Sequence, residues 1–419
     1  MRISRLIVGV VFLVIALYAA RWTYLVFSGF QPPGNDFRSY YTAAWMVRNH
    51  QTKDIYISEG NRDPVLEPDH IGSGTPFASM AAEHGVFTSG VAPYDYPPTL
   101  ADLIFPLTFL SPSTALEVWY LLDIAALVCA ALLLSRLPGI FPSVRFLPIL
   151  AFLFFPPTIN CLVWGQVTIC LFLIVVAGIS LYAREMTYSA AFLFALAIAI
   201  KLTPLILVIP LLAWRDWKML RAVVLWGMVI LTALVMFNGW ESLNLYLFHE
   251  MPQMGSKFIF LNRSLISELQ VVWSRSQKGT SLPGVAMAGK VICLLVLCYA
   301  GWLNRPSSVR NLRVEFKVES IAYFLLLSCC LAPVSWVHAY LLGAPALVFY
   351  CKRLWDGHAK AYEAILFLLL FAGLATNTVL PLTVITPLPC LALGLLGLRM
   401  LKQQQMADGV SATPVPTAC

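Results

Sequence analysis

Apolar runs of membrane-crossing length recur from Leu6 to Met400, and most of them end in a short cluster of Lys or Arg. In hydrocarbon every backbone polar group must be satisfied within its own segment, so about twenty such residues cross a bilayer as one helix. A chain with this pattern folds as an all-α polytopic membrane protein. Composition agrees, since 59% hydrophobic and 12% charged residues, with a mean hydropathy of +0.77, leave too little polar surface to cover a soluble globule of 419 residues. The net charge of +7 is spread over the short basic clusters and not gathered on a polar domain. It therefore reads as a topology signal, not as a nucleic-acid surface. Nearly all of the 10 cysteines lie inside apolar runs, and the two long polar loops hold none, which argues against a disulfide framework and a Cys-based metal site.

Arg2 and Arg5 precede an apolar run, 6–27, that is longer than the apolar region of a signal peptide; it is expected to be the first transmembrane helix, with a cytoplasmic N-terminus. Residues 28–95 then form a first extracytoplasmic loop. Within it, Tyr40 to Val47 suits an amphipathic helix at the interface or an ordinary surface helix, and 61–90 is rich enough in Gly, Pro and Ser to be irregular. A short helix is expected from Tyr96-Pro97-Pro98 to about Leu110, with a span returning inward over 113–135. The segments 146–155 and 167–182 are shorter, broken by Pro156-Pro157 and by Asn160 to Gln166. The run 188–214 is interrupted at Lys201-Leu202-Thr203-Pro204, as a hairpin of two short helices or as one proline-kinked helix. Irregular backbone at membrane depth must be buried in protein or line a wet cavity, so short broken helices imply an outward-facing cavity. Residues 238–283 read as a second large extracytoplasmic loop and 403–419 as a disordered cytoplasmic tail. The expectation is a single transmembrane domain over 1–402 with about twelve helices (a range of about 10–13) and both termini cytoplasmic, which leaves most of the 28 Lys and Arg inside.

With that topology the polar residues that interrupt apolar sequence collect at one face. Asp36 suits a general base that takes a proton from an acceptor hydroxyl, and it suits equally the N-cap of a helix starting at Phe37. His338, Lys201 and Arg263 suit the stabilisation of charge on a phosphate leaving group. Each also has a plainer role: Lys201 can snorkel to the interface, Arg263 can anchor its loop to head groups, and His338 can bond backbone at a helix end. Tyr40, Tyr96, Gln166, Asn262 and Trp336 are placed as substrate or cavity contacts, with Gln166 and Asn262 suited also to bonding broken backbone. Asp95 and Glu83 stand in reserve as alternative bases. Together these groups fit sugar transfer from a lipid-linked anionic donor.

Six pieces in this order resemble glycosyltransferase family 87: Asp36 with Tyr40-Tyr41-x-Ala43-Ala44; Tyr96-Pro97-Pro98 leading to Pro106-Leu107; Gly165-Gln166; Lys201-x-x-Pro204; Asn262-Arg263-Ser264-Leu265; and Ala332-Pro333-Val334-Ser335-Trp336-x-His338. Members of that family are membrane-embedded GT-C enzymes that include polyprenyl-phosphomannose-dependent α-mannosyltransferases. The resemblance implies a GT-C-type fold with the catalytic aspartate, here Asp36, in the first outer loop. It implies a polyprenyl-phosphate-linked sugar as donor, mannose first, a glycolipid or glycan acceptor, inversion at the anomeric carbon, and neither metal nor other cofactor. The location implied is the outer face of a bacterial inner membrane, with membrane lipids and no nucleic acid as partners. The chain departs from the family's frequent histidine pair, because His338 is followed by Ala339-Tyr340.

Two other classes fit parts of the sequence. A multi-pass transporter or flippase of a lipid-linked or anionic substrate would also carry broken helices around charge, but the two halves show no internal repeat. A membrane acyltransferase would use His-x4-Asp; no histidine has an Asp at that spacing, and His358 with Glu363 falls on the cytoplasmic side.

Overall fold

Proline and glycine set most of the helix boundaries. In the computed structural model, which describes residues 13, 17–25, 28, 33–56, 75–83, 94–140, 155–252, 262–276, 283–306, 312–375 and 386–411, every regular element is helical. Residues 17–25 are helical, followed by α1 (Asn35–Arg48), α2 (Pro76–Glu83), α3 (Pro98–Ile104, continued as a 3-10 turn to Phe109), α4 (Pro112–Leu134) and α5 (Pro156–Trp164). Next come α6 (Thr168–Ala183), α7 (Thr187–Ile200), the 3-10 turn Thr203–Leu207 with α8 (Val208–Ala213), and α9 (Trp217–Leu245). The chain closes with α10 (Leu265–Ser276), α11 (Pro283–Leu303), α12 (Val314–Leu331), the 3-10 helix Val337–Gly343, α13 (Ala344–Trp355), α14 (Ala361–Ala375) and α15 (Pro387–Ser411). Pro sits in the first turn of α3, α4, α5 and α13, where its missing N–H costs nothing.

Among the described residues, α4 and the continuous stretch Trp217–Glu250 have the length and hydropathy of a full crossing, and six further apolar helices are shorter, at 10–17 residues. Helix length among the described residues does not by itself establish the expected count of about twelve spans. Four expectations are corrected. Pro156-Pro157 starts a helix and does not break one, because both prolines occupy its unbonded first turn. Asn238 opens no loop: α9 bends at Gly239, where φ is 78°, and runs on to Leu245 and a π-turn over Tyr246–Glu250. Residues 403–411 are helical as the end of α15. Finally, α1 packs inside the protein, with Phe37, Tyr40, Tyr41, Ala43, Ala44 and Met46 all buried, so it is neither an interfacial nor a surface helix. The expected segment 146–155 lies outside the described residues except for Phe155, as do most of 61–90, where α2 forms, and residues 412–419.

The two options left open at Lys201 are now separated. The Tyr182 hydroxyl, at the end of α6, donates to the Asp216 carboxylate, which caps α9, at 2.6 Å, and Phe192 of α7 meets Trp226 of α9 at 5.1 Å. Both α7 and α9 therefore start at one end, and the chain turns back at Lys201 as a hairpin. The same end collects basic residues: Lys317 lies over the Tyr182 ring, Lys352 donates to Gly139 O at 2.8 Å next to Arg136, and Lys402 lies 3.8 Å over Trp302. Arg184, Arg215 and Lys218 flank the Tyr182–Asp216 contact in sequence. Lys201 and Asp36 belong to the opposite end.

Candidate active site

Two glycines bring the first site element to its anchor. Helix α5 ends at Gly165 in the left-handed conformation, with φ 66°; Gln166 N–H bonds Cys161 O at 2.9 Å and Gly165 N–H bonds Leu162 O at 3.4 Å, a closure that left-handed backbone permits. Gly34, with φ 76°, begins α1 and donates its N–H to Val163 O at 2.8 Å, one of the carbonyls that α5 leaves open. A side chain on Gly165 would meet Phe37 Cβ at 2.9 Å and Gly34 Cα at 3.2 Å. Trp119 Nε1 adds a third tie, donating to Gly165 O at 3.0 Å while its ring stacks on Phe37. Gly165→Ala should therefore push α1 off α5 and reduce activity by more than about tenfold, since a displacement near 1 Å at a reacting group has effects of that size. Equal activity of this variant and wild type at equal abundance would show that the contact does not set the site.

Asp36 lies within the first turn of α1, while the cap position is held by Gly34, so Asp36 is not the helix cap. The Gln166 side-chain amide N–H donates to Asp36 Oδ2. Tyr40 and Tyr96 hydroxyls each lie 2.9 Å from Gln166 Oε1 and 3.1 Å from one another. Burial first, then the neighbouring tyrosine and the Asp36 carboxylate, push the Tyr40 hydroxyl well above the ordinary tyrosine range; Tyr96 is raised for the same leading reason and by Asp36. Both keep their protons in working conditions, and Gln166 Oε1 is the acceptor that both hydroxyls share, at the shorter distance. That fixes which way the amide points, with its N–H toward Asp36.

Lys201 follows the end of α7 in extended backbone, and Pro204 prevents the helix from continuing. Its Nζ stands 5.3 Å over the Tyr96 ring, and Asp36 acts on its charge. His338 is buried in the 3-10 helix, its ring stacked on Trp336 at 6.2 Å, and Lys201 is the charged group that acts on it. Cys161 Sγ donates to His338 O at 3.8 Å, joining this segment to α5. The structure thus gathers Asp36, Gln166, Tyr40, Tyr96, Lys201 and His338. Asn262 is used differently: its Nδ2 donates to Pro333 O at 2.8 Å and its Oδ1 accepts from Ser264 N and Ser335 N, a clasp between two segments. Arg263, next to Asn262 in that clasp, is buried, and Glu268, Tyr340 and Tyr18 act on its charge.

Two residues passed over in the sequence belong to this neighbourhood. Asp123 is fully buried one turn along α4 from Trp119; Cys170 Sγ donates to its Oδ1 at 3.6 Å and its Oδ2 has no hydrogen-bond partner. The available signal was an acid at the middle of a 23-residue apolar helix, well inside the Glu117 near its start. Asp102 accepts Asn238 Nδ2 on both oxygens at 2.7 Å, tying α3 to the bend in α9. Among the described residues no three His, Cys, Asp or Glu side chains converge as metal ligands.

The sequence profile of glycosyltransferase family 87 matches residues 94–333, more than half of the chain. The chain belongs to glycosyltransferase family 87. It is accordingly a membrane glycosyltransferase of the GT-C class. The family match contains Tyr96, Gln166, Lys201, Asn262 and Arg263, whereas Asp36, Trp336 and His338 lie outside it. No curated protein matches this family 87 chain. Among solved structures it is similar to the apo-state crystal structure of ArnT from Cupriavidus metallidurans, at 12% identity and a TM-score of 0.34, over 95% of this chain and 78% of that one.

Proposed function

We propose that this enzyme transfers a sugar, mannose first among the candidates, from a polyprenyl-phosphate donor to a hydroxyl of a glycolipid or glycan at the outer face of a bacterial inner membrane. The observation that carries this is the fixed Asp36–Gln166 pair set beside Lys201 and His338. In the reaction, Asp36 removes the acceptor hydroxyl proton while that oxygen attacks the anomeric carbon. The bond from that carbon to the phosphate oxygen breaks, polyprenyl phosphate leaves, and the sugar is inverted. Lys201 and His338 meet the charge growing on the departing phosphate. The basic residues at the opposite end support a cytoplasmic assignment for that end and hence an outward-facing site. Neither a nucleotide donor nor a metal ion has a step in this scheme.

Gln166, Tyr40 and Tyr96 act as positioning residues in it. Replacing both tyrosines by Phe removes the two donors that orient the Gln166 amide. The double variant should lose about ten- to a hundredfold in kcat with little change in KM, because a misoriented base affects the reaction and not substrate capture. A rise in KM alone would make the tyrosines substrate contacts instead.

The test of the whole reading is transfer by the purified protein in lipid vesicles from a panel of labelled polyprenyl-phosphate sugars. Label appearing on an acceptor lipid or glycan supports it. Label that moves across the vesicle membrane still on its carrier favours a flippase.

A further inference from the structure

Asn238 sits where α9 bends, and its side chain is half satisfied. Its Nδ2 stands 2.7 Å from each oxygen of Asp102, while its Oδ1, in a residue only 7% exposed, has no hydrogen-bond partner. One amide nitrogen shared between two carboxylate oxygens is the geometry of an ionised acid, which offers no donor in return. A proton on Asp102 completes the pair. The carboxyl O–H then donates to Asn238 Oδ1, the other oxygen keeps the Nδ2 hydrogen, and two parallel bonds replace the shared one. Burial pushes the Asp102 carboxyl up to about 6, against the lowering effect of the Asn238 bond.

Both partners of the pair lead to the base. Asn238 O accepts from Thr52 Oγ1 at 3.1 Å, and beyond the bend at Gly239 the Tyr246 ring lies 5.8 Å from that of Tyr56. The Tyr56 hydroxyl donates to Tyr96 O at 2.8 Å, and the Tyr96 hydroxyl bonds the Gln166 that holds Asp36. From the other partner, Ala101 N–H, next to Asp102, bonds the Tyr94 hydroxyl, which donates to Pro97 O, next to Tyr96. We propose that Asp102 and Asn238 are positioning residues for transfer, a latch that a proton on Asp102 closes and that sets Tyr96 against Gln166. The effect on transfer rests on the role given to the Asp36–Gln166 pair; closure by a proton does not.

The elements packed against the pair carry Asp36, Arg38 and Arg48 on α1, Lys53 and Asp54 beside Thr52, Lys201 after α7, and Glu241, His249 and Glu250 beyond the bend. The charge of Asp102 itself reaches Tyr56 and Tyr94, which burial keeps protonated. Because the fold holds this carboxyl above the ordinary aspartate range, the closed latch contributes stability that is complete below the unfolded value and is lost as pH rises through about 6.

The test compares wild type, Asp102→Asn and Asp102→Leu of the full chain between pH 5 and pH 8, by thermal unfolding in neutral detergent and by transfer in lipid vesicles. Asp102→Asn offers Asn238 a donor and an acceptor at every pH, and so mimics the closed latch. Its Tm should be close to that of wild type at pH 5 and a few degrees higher at pH 8. Asp36 titrates in every variant, so a ratio of rates isolates Asp102. The kcat of Asp102→Asn over that of wild type should be near one at pH 5 and rise about two- to tenfold by pH 8, with KM unchanged. Asp102→Leu, which cannot bond Asn238, should stay at or below the wild-type pH 8 rate throughout. A Tm difference that is the same at pH 5 and pH 8 overturns closure by a proton. A kcat ratio that does not change with pH overturns the positioning role, and so does a change confined to KM. The expected Tm pattern with no transfer by any variant upholds closure and counts against the proposed reaction instead.

Discussion

Asp36→Asn should abolish measurable transfer while leaving an intact protein. The substitution keeps size and lets the new amide oxygen accept from Gln166 Nε2 as the carboxylate does now. The remaining group facing the acceptor is an NH2, which cannot take a proton. Loss of a general base costs about 10²–10⁴-fold, and with no second carboxylate held by Gln166 the upper part of that range is expected. Asp36→Glu should also be poor, near a hundredfold down, because one extra methylene moves the carboxylate by about 1 Å off its anchor. Single-turnover transfer of labelled sugar, at protein amounts matched by quantitative blotting, measures both. Full activity in Asp36→Asn would remove Asp36 from the chemistry and bring Asp95 or Glu83 forward.

Lys201→Met should lower kcat by about 10²–10³-fold, the size found when one preorganised group facing a developing charge is removed. Its contact over the Tyr96 ring at 5.3 Å accounts for only about 0.5–2 kcal/mol, which at most is some tenfold to thirtyfold. The two contributions separate in a pair of measurements. A phosphate role predicts a deep fall in kcat with Tm unchanged, since a half-buried lysine with no carboxylate bonded to it leaves no orphan behind. A purely structural role predicts a lower Tm and a rate loss no larger than that of Tyr96→Phe. Lys201→Arg should recover part of the rate, because the charge returns on a longer, planar group.

The residues that could be found in the sequence are those whose chemistry is out of place in an apolar chain. Asp36, Lys201 and His338 stood out for that reason, and the structure brings them together. The break at Lys201 was legible because Pro204 forbids continuation of α7, but its geometry as a hairpin needed the contact of Tyr182 with Asp216, which no local pattern contains. Pro156-Pro157 misled for a physical reason: the same ring that breaks a helix interior is welcome in its first turn, and sequence alone does not say which turn it is. Helix α9 extends past Asn238-Gly239 because Asp102 and Thr52 hold Asn238 from other segments. Gln166 and Asn262 show the limit most clearly. Both are polar residues at broken backbone, yet one points its amide at Asp36 and the other clasps Pro333 to Ser335, a difference decided by partners 70 or more residues away. Asp123 was in plain view and was passed over.

The backbone contact between Gly34 and Gly165 bears on how this enzyme tolerates its lipid environment. Short apolar helices answer a thicker or thinner bilayer by tilting or by deforming the lipid around them. The base and the amide that aims it do not sit at opposite ends of such helices. They are joined where two chain segments touch, within one end of the protein, so a change of tilt carries both along together. Acyl-chain length in the surrounding membrane can then alter how the donor is presented without altering the geometry that removes the proton.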